Sequence, residues 1–205
     1  MLGAVIYEQL RVYSPVINFP KHVATGDQVV MRDGQQIKIP NGTFIHLSNY
    51  TIHRDPRYYP HQPSSRTGAS HDLQDFVPQR WLLPESHPDK ARSRLYTPPP
   101  GAFIPFSDGQ RACLGRRFAM VELTAALAAI FQHYSVELAV DQWASDEEVA
   151  SLSPAERRAL HQRAIDSAYE KLDDGWDVVV TTKLKKGSEI PIRFVRRGME
   201  RFRFD

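Results

Sequence analysis

Apolar residues recur at helical spacing through "MLGAVIYEQLRVY" (residues 1–13), and the run stops at Ser14-Pro15, so a first helix ending there is predicted. The pattern then changes period. "QVVMRDGQQIKIPNGTFIHL" alternates apolar and polar positions around Asp33-Gly34 and again around Asn41-Gly42, two dipeptides that favour hairpin turns. A polar loop over 60–75 leads to "FVPQRWLLP" and then to an irregular, proline-rich stretch ending in "YTPPPGAF". From Leu114 to His133 the chain is apolar on nearly every face of a helix, which predicts a place at the centre of the core. Ser153-Pro154-Ala155-Glu156 has the form of a capping box with proline at the first helical position, opening a charged surface helix to about Leu172. Two strands are expected after it, "WDVVVTTKL" and "EIPIRFVRR", joined across Lys185-Lys186-Gly187. With no internal repeat, the simplest reading is a single domain over 1–205, mostly α with small β-sheets (α+β), with an insertion-like charged helix at about 141–175.

Composition changes this picture little. The chain has 205 residues, 41% of them hydrophobic, and a net charge of +2, which is too small to imply nucleic acid. The basic tail "RRGMERFRF" reads as a solvated strand end. No signal peptide is visible in residues 1–10, and the most apolar stretch carries Glu122 behind two arginines, so it reads as a buried helix and not a membrane span.

Cysteine changes it a great deal. The single cysteine, Cys113, rules out an internal disulfide framework and a thiolate zinc cluster, and fits a reducing compartment. It stands in "FIPFSDGQRACLGRRFA", where a glycine-rich, proline-flanked loop delivers it to the start of the apolar helix. A lone cysteine is commonly a small buried side chain. Here, however, free N–H groups at the helix start and the charges of Arg111 and Arg116 favour a thiolate. Gly109 and Gly115 remove side chains where a flat ligand could approach the backbone. Together these residues describe an anionic sulfur beneath something large and planar.

"FSDGQRACLG" fits F-x-x-G-x-R-x-C-x-G, through Phe106, Gly109, Arg111, Cys113 and Gly115, and so resembles the haem-binding loop of the cytochrome P450 monooxygenases. Three further segments follow that family's order. Glu8-Gln9-Leu10-Arg11 resembles its E-x-x-R, "HRDPRYY" (His53–Tyr59) its H-R-D-P, and "FVPQRW" its P-E-R-F/W, with Arg80 kept and Gln79 in the glutamate position. The resemblance covers about residues 1–140, and no motif covers the 141–175 helix.

The resemblance implies the C-terminal part of the cytochrome P450 fold, with Cys113 as the axial thiolate ligand of haem iron, electron-donating and hydrogen-bonded by the N–H groups that follow it. Arg111 would pair with one haem propionate and Lys21 with another, although Lys21 also reads as a plain solvated lysine. Phe106 would pack beside the sulfur. Glu8, Arg11 and Arg80 would form a buried structural network that fixes the loop. Residues 14–20, with Ile17 and Phe19 foremost, would line the substrate cavity or simply pack as a strand. Arg116 and Arg117 would dock an acidic reductase or merely face water.

The implied activity is insertion of one atom of O2 into a small organic substrate, with electrons from an NADPH-cytochrome reductase, in a family usually found at the endoplasmic reticulum membrane. Met1 stands almost on the E-x-x-R helix, so the family's distal helix with its acid–threonine pair is not expected in this chain, and "ELT" (Glu122–Thr124) does not replace it. The alternative is therefore a haem-binding remnant without turnover. A zinc or hydrolytic enzyme has little support, since the sequence carries neither H-E-x-x-H nor a framed nucleophile.

Overall fold

A computed structural model describes residues 1–88, 95–174, 176–178 and 181–203. They fall into two compact units, Met1–Arg117 and Phe118–Asp205. Short sheets and helices of several lengths alternate in each, the mixed architecture expected of the chain.

The first unit opens with α1 (Leu2–Val12), whose buried face carries Ala4, Ile6, Glu8, Leu10 and Arg11. Two of these are charged, which a helix tolerates in a core only where partners are waiting. β1 (Asn18–His22), β2 (Gln28–Arg32), β3 (Gln35–Ile39) and β4 (Phe44–Ser48) follow, then a single helical turn, α2 (Asn49–Ile52). β2 and β3 form the expected hairpin. Asp33 and Gly34 at its tip both have positive φ, 51° and 77°, the conformation that asparagine, aspartate and glycine tolerate best. The second turn departs from expectation. Asn41-Gly42 does turn the chain, but β4 pairs with β1, in antiparallel register Phe19↔Leu47 and Lys21↔Ile45, and not with β3. Gly42 donates its N–H to Val23 O, so the turn hands the chain back to the strand that follows α1. The core of this unit is aromatic: Ala4, Tyr59, Leu73 and Trp81 are buried, with Tyr7, Tyr96 and Phe103 packed against them. Leu73, Trp81 and Phe103 come from segments without regular secondary structure, apart from the single 3-10 turn Pro78–Trp81.

α3 (Arg116–His133) begins at the end of the first unit and continues into the second, which adds β5 (Tyr134–Leu138), α4 (Asp146–Ser151), α5 (Pro154–Asp174), β6 (Trp176–Val178), β7 (Thr182–Leu184) and β8 (Ile192–Arg196). The capping box at α5 forms as its spelling predicts. Ser153 N–H donates to Glu156 Oε2 at 2.9 Å, and Glu156 N–H reaches back to Ser153 Oγ at 3.4 Å. α4 has a second one, Ser145 with Glu148, which the sequence reading passed over. Val140, Val149 and Ala164 make a small separate core with Trp143, Leu160 and Phe202 around it.

Two expectations are corrected here. The stretch "WDVVVTTKL", expected as a single strand, contains two, β6 and β7. β6 pairs with β7 within it, while β8 pairs with β5, Val136 facing Phe194. Residues 179–180 of that stretch lie outside the described residues, as do 175 at the end of the charged helix, 204 at the end of the basic tail, and 205. The apolar helix α3, expected at the centre of the core, has no buried residue; Phe118 and Val121 are 73% and 69% exposed. Its composition states how much surface it would bury, and the described residues do not cover it. Among them no helix is long and apolar enough to cross a membrane.

Candidate functional site

Two polar constructions occupy the first unit. The deeper one is built on Glu8. α1 carries Glu8 and Arg11 one turn apart on its buried face, both fully inaccessible to solvent. Arg11 grips the carboxylate with two nitrogens, Nε to Oε2 and Nη2 to Oε1, each at 2.8 Å. Arg80 Nε donates to Oε1 at 3.0 Å from the 3-10 turn Pro78–Trp81. Val77 N–H and the Trp81 indole N–H, each at 2.8 Å, complete the shell of the carboxylate. Arg11 then ties the irregular segments down by donating to the carbonyls of His53, Leu73 and Asp75. Arg80 also pairs with Asp72 at 3.1 Å. Two arginines and two carboxylates thus balance in a dry place, where a lone charge could not be kept. Burial by itself would raise the Glu8 pKa, but the Arg11 hydrogen bonds and the charges of Arg11 and Arg80 outweigh it and hold the carboxyl below its ordinary value. The network predicted from Glu8, Arg11 and Arg80 is therefore assembled. Asp72, Trp81 and the Val77 N–H are members that sequence reasoning missed, because nothing local marks them.

The second construction is an open cleft of about 670 Å³ that runs from the cysteine loop to β1. Phe19, Lys21, Phe106, Arg111 and Cys113 all line it, with Leu10, Val16 and Pro105 completing an apolar wall. Ile17 is not among its lining residues; its carbonyl instead accepts the Asn49 N–H. Cys113 is exposed. Its position is set by its own N–H, which donates to Phe106 O at 2.9 Å, so the sulfur and the Phe106 ring share one narrow loop. Asp108 caps the short turn Gly109–Arg111 by accepting the Gly109 N–H. Gly109 has φ +79°, so glycine is required by the backbone there and not by a close approach. Gly115 is different: a methyl at that position would stand 3.8 Å from Cys113 Sγ, an ordinary contact, so the glycine keeps that flank of the sulfur open. Lys21 Nζ donates to Ser107 Oγ at 3.2 Å, closing β1 onto the loop across 86 positions of sequence.

Whether these residues suit haem can be judged from the donor set. One soft sulfur donor, Cys113, faces a cavity walled by Phe19, Val16, Pro105 and Phe106, which suits iron in an apolar macrocycle. Two cations, Lys21 and Arg111, stand at the same cleft, and Arg111 has no carboxylate partner among the described residues. A flat apolar group that carries carboxylates answers to both features. The residues fit. Among the described residues no cluster of three or more histidines, cysteines or carboxylates could hold a bare metal ion.

Residues 1–161 match the family model for cytochrome P450. The chain is 37% identical over 137 residues to the 25-hydroxyvitamin D-1 alpha hydroxylase, mitochondrial, of Homo sapiens, which covers 67% of this chain and 22% of that protein. It is 33% identical over 140 residues to the cytochrome P450 monooxygenase hepC of Aspergillus oryzae, covering 67% of this chain and 23% of the relative. With the cytochrome P450 monooxygenase nodW of Hypoxylon pulicicidum the identity is 34% over 137 residues, 67% of this chain and 21% of that one. The aligned stretch thus spans less than a quarter of these relatives. Among solved structures, the cytochrome P450DA heme domain superposes with a TM-score of 0.55 at 21% identity, covering 96% of this chain and 30% of that one.

Proposed function

The chain belongs to the cytochrome P450 family, and from that premise we propose that it forms the thiolate side of a haem monooxygenase site. Haem is the cofactor of this family. The observation that carries the reading is the convergence of Cys113, Arg111, Lys21, Phe106 and Phe19 on one cleft, although they come from two segments some 85 positions apart.

In this reading Cys113 Sγ would bind the haem iron, and Arg111 and Lys21 would hold the carboxylates of the group. Phe106 and Pro105 would pack beside the group on the sulfur side, and Gly115 leaves the flank of the sulfur free. When bound, the haem supplies activation of O2, with one oxygen atom passing to an organic substrate. Electrons would come from an NADPH-cytochrome reductase, for which the adjacent exposed cations Arg116 and Arg117 offer a docking face. Phe19 and Val16 would border the substrate space. A second reading, haem binding without turnover by this chain, draws on its exposed apolar residues: Leu114, Phe118 and Val121 present surface that a complete haem pocket buries.

The test is spectral. Haem-loaded, reduced chain is expected to give the red-shifted carbon monoxide band of a thiolate ligand, and Cys113→Ala is expected to abolish it. An unchanged band in that variant removes Cys113 as the ligand. A substrate-dependent loss of NADPH in the presence of reductase, compared with none, separates turnover from binding alone.

A further inference from the structure

The stretch just before the cysteine loop is held by two side chains whose roles no motif announces. Ala102 and Ile104 are buried, and the main chain at each is hydrogen-bonded to a buried side chain. Tyr59 O–H donates to Ala102 O at 2.7 Å, and Ile104 N–H donates to His53 Nε2 at 3.0 Å. Between them the Phe103 ring packs on Trp81, His53 and Tyr7, with centroids 5.0, 5.2 and 5.5 Å away. His53 and Tyr59 are the first and last residues of one short segment, "HRDPRYY". That segment is itself anchored to the ion network, because the His53 carbonyl accepts from Arg11 Nη1 at 2.9 Å. Ile104 passes the constraint on: its carbonyl accepts the Ser107 N–H, and the Phe106 carbonyl accepts the Cys113 N–H. Ser107 has φ +63°, an uncommon conformation for serine that a loosely held chain would relax.

We propose that His53 is a positioning residue for Cys113, which together with Tyr59 clamps the main chain at 102–104 and so fixes the loop that presents the sulfur. Nε2 accepts a hydrogen bond only when it carries no proton, so the ring is neutral with its proton on Nδ1, on the side of the Leu10 and Arg11 main chain. The charged groups that face the ring are the guanidinium groups of Arg11 and Arg54, both of which oppose a second proton. Burial first, and the Arg11 charge next, hold the ring near a pKa of about 3, so the acceptor persists through the neutral range. What the sulfur does once positioned rests on the haem-thiolate reading above; the clamp itself does not.

Two readouts in the full chain separate these matters: amide hydrogen exchange at Ile104, with the Val77 amide as reference for the ion network, and the carbon monoxide spectrum after haem loading. His53→Phe keeps a ring of similar bulk and removes the acceptor. It is expected to speed Ile104 exchange by about tenfold or more while Val77 stays protected, and to shrink the red-shifted band. His53→Gln places an acceptor near the same point and is expected to restore both. Tyr59→Phe removes only the bond to Ala102 and is expected to loosen the same stretch from its other end. Unchanged Ile104 exchange and an unchanged band in His53→Phe would overturn the clamp. If His53→Phe unprotects Val77 as well, then His53→Gln decides: protection and band retained support the proposal, and both lost reject it. A wild-type chain that takes up haem without the red-shifted band refutes the haem-thiolate reading instead, and Ile104 exchange still decides the clamp.

Discussion

Replacing Glu8 by glutamine changes one oxygen to an NH2 group and leaves the shape of the side chain almost intact, so its cost isolates the charge and hydrogen bonds of the buried network. The carboxylate accepts at Oε1 from Arg11, Arg80 and the Val77 N–H, and at Oε2 from Arg11 and the Trp81 indole. A glutamine oxygen can serve one of these two sides. On the other, its amide hydrogens face two N–H donors, and those donors lose their acceptor inside the core. The local charge, two arginines against Glu8 and Asp72, moves from balanced to +1. Each stranded donor costs roughly 1–3 kcal/mol, and breaking a buried pair from one side costs roughly 3–5 kcal/mol in all. We expect Glu8→Gln to lower stability by about 3–5 kcal/mol, a large part of the ~5–15 kcal/mol that holds a typical domain. Urea unfolding followed by far-UV circular dichroism and tryptophan fluorescence measures it, since Trp81 belongs to the cluster. Asp27→Asn, which breaks the exposed Lys38 pair, serves as control and should not shift the midpoint measurably. A loss below about 1 kcal/mol for Glu8→Gln would refute the claim that this network organises the first unit.

Other expectations follow from the same geometry. His53 has a folded pKa of about 3 against an ordinary 6.5, so between those values the unfolded chain binds the extra proton, and stability falls as pH drops through that window. The slope reaches about 1.4 kcal/mol per pH unit, shows best between pH 6.5 and 5, above the range where Glu8 takes a proton, and should shrink in His53→Gln. His161, also lowered by burial, adds a smaller contribution of the same sign that the His53 variant leaves in place. Gly109→Ala forces a side chain into φ +79° and should cost roughly 1–2 kcal/mol in urea unfolding. Gly115→Ala should leave stability nearly unchanged yet weaken haem binding in a titration, because its methyl occupies the flank of the sulfur. Ser153→Ala removes the α5 cap and should cost about 1 kcal/mol, read as a lowered midpoint for the second unit.

Local chemistry alone decided a good deal of this molecule. The spacing of apolar residues set α1 and α3, the Ser-Pro-Ala-Glu spelling set the start of α5, and Asp33-Gly34 set the β2–β3 hairpin, because caps and turns are interactions among residues a few positions apart. The cysteine loop was legible for the same reason: Phe106, Gly109, Arg111, Cys113 and Gly115 lie within ten positions, so their relation to one another survives in the string. Partners far apart in sequence were not. β4 chose β1 over its neighbour β3, and β8 chose β5, since strand pairing depends on what else is buried with each strand and not on the turn alone. Asp72 and Trp81 entered the Glu8 network, and His53 and Tyr59 the approach to Cys113, through irregular segments and a single 3-10 turn that carry no periodic signal. The apolar faces of α3 show the limit from the other side. Hydrophobicity was a correct statement of what the helix would gain by burial, but only three-dimensional packing supplies neighbours, and in this chain the described residues leave that surface open.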